Sequence, residues 1–134
     1  MLLIRQAKGA ALEGQWSIPW GIVEASESLE NAVLRETFEE SGIAAEVKGL
    51  LGIQNLQWES SIGVIFLCQH IAGEPKDDGG IETDRAAYFT LADIDTLEHI
   101  EKWCEWLVRR VLRGEHNLIC PEQQNPYQPL QAFL

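Results

Sequence analysis

Apolar positions along the chain fall into short extended runs and two helical stripes. Leu2 to Gln6 reads as a short strand, followed by a loop through Lys8-Gly9-Ala10 to Gly14. Trp16-Ser17-Ile18-Pro19 reads as a second short extended piece, ending at Pro19-Trp20-Gly21. From Ser28 to Ser41 the spacing turns helical, with Leu29, Ala32 and Val33 on one side at intervals of three and four. Ser28 suits the N-cap, Glu30 the positive end of the helix dipole, and Gly42 a left-handed C-terminal cap. Ile43 to Gln54 predicts an extended segment in which Gly49 and Gly52 interrupt Val47, Leu50, Leu51 and Ile53. Ile62 to Ile71 is apolar on both faces, which predicts a strand in the middle of a sheet.

Ala72 to Asp84 is polar and rich in Gly and Asp, and predicts a loop before a last strand at Arg85 to Thr90. A second helix is expected over about Glu98 to Arg113. There Ile100, Trp103, Cys104, Leu107, Val108, Val111 and Leu112 form a core-facing stripe, closed by Gly114. The tail over 115–134 is expected to lack regular structure, with Leu130, Phe133 and Leu134 available to dock on the body. The order strand, helix, strands, helix predicts an α/β fold with a mixed sheet between helices. No repeat or composition shift divides the chain, so residues 1–134 are expected to form a single domain.

Charge narrows the function classes. Ten Lys plus Arg stand against 21 Asp plus Glu, a formal net charge of −11 on 134 residues. Too few cations are available to neutralise a nucleic-acid backbone, so no nucleic-acid partner is expected. Phosphate chemistry stays open if a divalent cation stands between the two anions. Met1 to Arg5 lacks the basic leader and long apolar core of a signal peptide. The longest apolar run, Ile62 to Cys68, is far short of the roughly 20 residues that span a bilayer. A cytoplasmic protein with no membrane association is expected. Cys68, Cys104 and Cys120 are widely spaced and read as reduced, mostly buried thiols, and His70, His99 and His116 have no metal-ligand spacing.

The first helix carries an unusual polar face. Glu36, Glu39 and Glu40 are spaced i, i+3, i+4, so three carboxylates project to one side, and Arg35 can pair with Glu39. Such a face is either a solvated acidic surface or a site for a cation. Oxygen-only ligation favours Mg²⁺ or Mn²⁺ over zinc.

Gly21 to Ile43 decides between them, because as one unit it resembles the Nudix box. That motif is G, five residues, E, seven residues, R-E-U-x-E-E-x-G-U, with U a bulky apolar residue. Gly21, Glu27, Arg35, Glu36, Glu39, Glu40 and Gly42 match all seven invariant positions. Trp16-Ser17-Ile18-Pro19, Gly73-Glu74-Pro75 and Tyr88-Phe89 are similar to family segments around the box, so the resemblance covers about residues 2 to 113. It implies a Nudix α/β/α sandwich with a mixed β-sheet. It also implies a Mg²⁺-dependent hydrolase, with Mn²⁺ as an alternative, that splits the pyrophosphate of a nucleoside diphosphate linked to a group X.

Carried over by position, Glu36, Glu39 and Glu40 are implied metal ligands, joined by the backbone carbonyl of Trp20. Arg35 would orient the glutamates, and Glu27 would support the site through water or by positioning Arg35. For the general base the loop offers Glu74, Asp77, Asp78, Glu82 and Asp84, of which Glu82 is favoured; a box glutamate could serve instead, and all five could simply be solvated loop charges.

The chain departs from the family pattern in three places. Thr37 stands where a larger apolar residue is usual. Trp20 replaces a glycine, which would strain a positive φ; otherwise its indole either overhangs the pocket to stack on substrate or packs on Trp16. Leu2-Leu3-Ile4-Arg5 resembles the second of two usual strands, so the sheet is expected to lack the first N-terminal strand. The edge so exposed suggests a homodimer, or cover by the C-terminal tail. Trp58 either stacks a nucleobase or belongs to the core. A nucleoside triphosphate or oxidised nucleotide is the first expectation for substrate, with ADP-ribose-like or sugar nucleotides as the alternative. A Nudix-fold module that senses a nucleotide without cleaving it is the competing class, and the intact Arg35, Glu36, Glu39 and Glu40 set argues against it.

Overall fold

A computed structural model describes residues 1–56, 60–126 and 132–134. Strand β1 (Leu2–Gln6) lies between β2 (Trp16–Ser17) and β5 (Thr83–Tyr88), antiparallel to both. Being central, β1 buries Leu3 and Ile4 completely. Arg5 and Asp84 pair across β1 and β5 at 2.7 Å. The long strands β3 (Ala44–Leu56) and β4 (Ser61–Ala72) form a separate antiparallel hairpin sheet.

Parallel pairing among the described residues is confined to an isolated bridge between Trp16 and Ile100. Among the described strands β4 pairs only with β3, so the segment expected mid-sheet has one strand neighbour. Part of its apolar surface is covered by a tail segment, not by a second flanking strand among the described residues. Ile119 exchanges both backbone hydrogen bonds with Leu50 of β3, and Phe133 packs on Phe66 of β4 with ring centroids 5.3 Å apart. Leu130 lies outside the described residues.

Helix α1 (Leu29–Ser41) is set by its caps. The Ser28 hydroxyl accepts from the Asn31 N–H, and Gly42, at φ 70°, donates its N–H to the Phe38 carbonyl. Only glycine takes that left-handed turn without strain. Thr37 is buried on α1 with its hydroxyl donating to the Val33 carbonyl, so the smaller residue carries no unpaired polar group there.

Two helical features depart from the sequence reading. A short helix α2 (Leu91–Ile94) follows β5, closed by a reciprocal Thr90–Asp93 capping box, a T-x-x-D signal present in the sequence. Helix α3 (Lys102–Leu112) begins four residues later than about Glu98. His99 sits at φ 60° and Ile100 is drawn into the bridge with Trp16, so the chain turns helical only after Glu101, whose carboxylate caps the Trp103 and Cys104 N–H groups.

The core gathers Leu3, Trp16, Ile94, Cys104 and Val108, with Trp16 edge-on to Phe89. Cys104 is buried and accepts from the Ile18 N–H, whereas Cys120 is exposed, against the expectation of mostly buried thiols. No helix among the described residues is long and apolar enough to cross a membrane.

Candidate functional site

The carboxylates of α1 are organised around one guanidinium. Arg35 Nε and Nη2 donate to both oxygens of Glu27, at 3.2 and 2.7 Å. Nη1 donates to Glu36 at 2.8 Å and to Glu39 at 3.1 Å, and Nη2 also reaches the Ile22 carbonyl at 3.1 Å. Three of these five donor contacts, to Glu27 and the Ile22 carbonyl, bind the 21–27 loop to the helix, and the other two join Glu36 and Glu39 on the helix itself. Glu27 is anchored a second time by the Glu24 N–H at 2.7 Å. The Arg35 contact, with that backbone bond, holds the Glu27 carboxyl below the usual carboxylate range, while its three acidic partners raise Arg35.

Gly21 explains how closely the loop approaches. A Cβ there would stand 1.9 Å from the Glu36 carboxyl carbon. The obstacle is the far end of a flexible side chain, so Gly21→Ala is expected to fold and to swing Glu36 away from the cluster. Turnover is expected to fall about tenfold or more with little change in Tm; full activity would show that the placement of Glu36 is irrelevant.

Glu40 faces inward and is 2 % exposed. Its side chain accepts one hydrogen bond among the described residues, from the Trp20 N–H to Oε2 at 2.9 Å. Burial pushes its carboxyl up to about 8, aided by the negative charge of Glu36, Glu82 and Asp78 and opposed by the Trp20 N–H. Glu36 is also raised, first by burial, against the pull of Arg35.

The sign of the resulting pH dependence follows directly. Unfolded, this carboxyl releases its proton near the ordinary value of about 4.3; folded and metal-free it keeps the proton to about 8. The native state therefore binds more protons across that window, and its stability is lost as pH rises through it. Thermal melts in chelator are expected to show Tm falling between pH 5 and 9, with Glu40→Gln flattening the slope. An unchanged slope in the variant would assign the effect to other groups.

Behind Glu40, Thr83 is fully buried and donates its hydroxyl to the Glu40 carbonyl at 2.9 Å. That bond ties the end of α1 to the loop before β5 and brings Glu82 into the field of Glu36 and Glu40. The other loop acids are committed elsewhere. Asp84 pairs with Arg5, Asp77 accepts from the Gly79 N–H, and Asp78 accepts from a series of backbone N–H groups. The charge of Glu74 adds to burial in raising the Tyr88 hydroxyl.

The structure thus brings Glu27, Arg35, Glu36 and Glu39 into one hydrogen-bonded cluster, with Glu40 and the Trp20 backbone beside it. Trp20 is not at positive φ, so the strain foreseen for it does not arise; its side chain is about half exposed, and Trp16 pairs with Phe89. Trp58 lies outside the described residues. Thr83 and Asp78 were missed as organisers. The Asp-Asp-Gly-Gly run at 77–80 signals an Asx-capped turn, whereas nothing local to Thr83 marks its long-range bond.

Among the described residues no three acidic, histidine or cysteine side chains converge closely enough to enclose a metal ion. Arg35 stands between Glu36 and Glu39 and takes one oxygen of each. The donor chemistry nevertheless fits a hard divalent cation. It is all oxygen, and the buried Glu40 carries a charge cost that a cation would remove.

A model of the NUDIX domain matches residues 1–109. The chain belongs to the NUDIX family. It is 32 % identical over 100 residues to an ADP-ribose pyrophosphatase of Methanocaldococcus jannaschii, covering 72 % of this chain and 58 % of that protein. It is 30 % identical over 112 residues to a MutT-like protein of Streptomyces ambofaciens, covering 84 % and 66 %. Among solved structures, a MutT NUDIX hydrolase from Burkholderia pseudomallei superposes with a TM-score of 0.68 at 29 % identity, covering 82 % of this chain and 86 % of that one. The NUDIX chain spans a quarter to two-thirds of the length of the first curated relatives it matches. NUDIX proteins generally use divalent cations, and the glutamates described above are the chain's matches to the family box.

Proposed function

We propose that this chain hydrolyses the pyrophosphate linkage of a nucleoside diphosphate joined to a further group X. The observation that carries the reading is the Arg35 hub: a complete set of box acids, Glu27, Glu36 and Glu39, held in one geometry beside the buried Glu40. Glu36, Glu39 and Glu40, with the Trp20 carbonyl, would hold the cation, Mg²⁺ first and Mn²⁺ as the alternative. Once bound, it would polarise phosphorus and lower the pKa of the attacking water.

The protein's own contribution is positional and electrostatic. Arg35 keeps two of the three ligand carboxylates in a shared orientation while Glu27 holds Arg35. Glu82, exposed and with no side-chain hydrogen bond among the described residues, is the loop acid suited to take the water's proton. Lys76 and Arg85 form no ion pair among the described residues and line a groove of about 570 Å³ with Trp16 and Phe89. Asp77 shares that lining, so in a chain of net charge −11 two cations against one acid on the groove support an anionic ligand.

The intact acid set argues against a sensing module that binds without cleaving. For the substrate, a nucleoside triphosphate or oxidised nucleotide stays the first expectation, and the relative named ADP-ribose pyrophosphatase supports ADP-ribose as the second. A panel of nucleoside triphosphates, ADP-ribose and sugar nucleotides, assayed with Mg²⁺ and Mn²⁺ by phosphatase-coupled phosphate release, tests the reading. Turnover of one class is expected; binding without turnover across the panel would favour the sensor. A soluble cytoplasmic setting and a homodimer belong to the same proposal.

A further inference from the structure

Asp78 sits in the loop before β5 and uses both carboxylate oxygens on the backbone. Its Oδ1 accepts from the N–H groups of Gly80, Ile81 and Thr83, at 3.1, 2.8 and 3.2 Å. Its Oδ2 accepts, among the described residues, from the Glu82 N–H alone, at 2.8 Å. Gly79 and Gly80 both lie at positive φ, near 85°, which turns these N–H groups inward toward one carboxylate. The frame is closed from outside. The Asp78 N–H donates to the Thr83 hydroxyl, which donates onward to the Glu40 carbonyl, and the Glu82 carbonyl accepts from the Ala7 N–H of the β1 side. Glu82 is thereby fixed at its N–H and at its C=O, while its side chain makes no hydrogen bond among the described residues and lies in the field of Glu36 and Glu40.

We propose that Asp78 is a positioning residue for the reaction, holding Glu82 against the carboxylates of α1 through the Oδ2 bond to the Glu82 N–H. This rests on the reading of Glu82 as the proton acceptor given above. An acidic residue so close to an anionic substrate site repels the ligand, so its value lies in the hydrogen bonds it accepts. Backbone amides satisfied by a carboxylate are strong, charge-assisted contacts that a neutral side chain reproduces only in part. Asn at this position separates the two functions of the carboxylate. Its Oδ1 can keep the bonds to Gly80, Ile81 and Thr83, whereas its Nδ2 cannot accept from Glu82.

Kinetics and amide exchange on the full chain with its best substrate and cation test this together. Glu82→Gln is expected to lower kcat by about 100-fold, the scale of a lost general base. Asp78→Ala and Asp78→Asn are each expected to lower kcat by tenfold or more, with KM within about threefold of the wild type. The double variant Asp78→Asn/Glu82→Gln is expected to be no slower than Glu82→Gln, because Asp78 acts through Glu82. Hydrogen exchange of the Glu82 amide should quicken in both Asp78 variants, while that of Ile81 and Thr83 quickens only in Asp78→Ala.

Multiplying losses in the double variant, or a change confined to KM, would overturn the proposal. So would an unchanged Glu82 amide. Full activity in Glu82→Gln would sink the reading of Glu82 and the positioning role with it. A Glu82→Gln defect beside fully active Asp78 variants would sink the positioning role alone. Should Asp78→Ala fail to fold, Asp78→Asn carries the same comparison.

Discussion

Glu40→Gln is expected to lower turnover by at least about 100-fold while leaving the fold intact. Glutamine matches the volume and keeps an oxygen for the Trp20 N–H, which is the carboxyl's one hydrogen bond among the described residues. What it removes is the charge. Glu40 is 2 % exposed, stands among Glu36, Glu82 and Asp78, and is costly to ionise there. On the proposed reading, a divalent cation would supply the counter-charge that makes its ionised form tolerable, and the neutral amide would give that cation nothing to balance. Loss of a ligand that stabilises the transferring phosphoryl group costs on the order of 10²–10³ in rate. The same substitution removes a buried acid, so Tm at neutral pH in chelator is expected to stay level or rise. Wild-type turnover in Glu40→Gln would refute the assignment of the α1 face as the cation site.

Arg35→Lys is the second large effect, and the substitution is conservative only in charge. Arg35 reaches Glu27 with two nitrogens, Glu36 and Glu39 with a third, and the Ile22 carbonyl besides. An ammonium is a point with three donors and cannot reproduce a fork that meets two carboxylates on one side and a third on the other. The 21–27 loop then loses its tether to α1, and Glu36 and Glu39 lose a shared orientation. Supporting residues of this kind cost about 10–100-fold in activity or metal affinity when replaced. Here the expected signature is a weakened cation dependence. Half-maximal activation by Mg²⁺ should move to higher concentration, with partial recovery of rate at saturating cation. A rate loss that no concentration of cation relieves would place Arg35 on the substrate instead.

Much of the site was legible because its logic is local. A helix with Ser28 before it and Gly42 after it, expected over 28–41, is found at Leu29–Ser41, and the one-residue difference is the cap itself. On such a helix the i, i+3, i+4 spacing of Glu36, Glu39 and Glu40 determines that they share a side, whatever surrounds it. The unread parts are long-range. Whether Ile62 to Ile71 has one strand neighbour or two depends on the pairing partners that tertiary packing supplies, and an apolar run is the same in both cases. The start of α3 was misplaced because the bridge between Trp16 and Ile100 overrides a helical stripe that by pattern includes Ile100. Thr83 joins Glu40 across 43 positions of sequence, and no local rule announces such a bond.

Within the loop that carries Glu82, the tie to the rest of the molecule is made by main-chain atoms and by Asp78 and Thr83. Gly79 and Gly80 are constrained by their backbone angles. Ile81 is different: its N–H is committed to Asp78, yet its side chain is 79 % exposed beside Glu82. An exchange of this one side chain therefore changes the surface next to Glu82 while the hydrogen bonds beneath it stay in place. On the proposed reading of Glu82, the backbone that holds the acid and the exposed side chain next to it are separate, so position 81 can change under mutation, or by design, without disturbing the Asp78 frame.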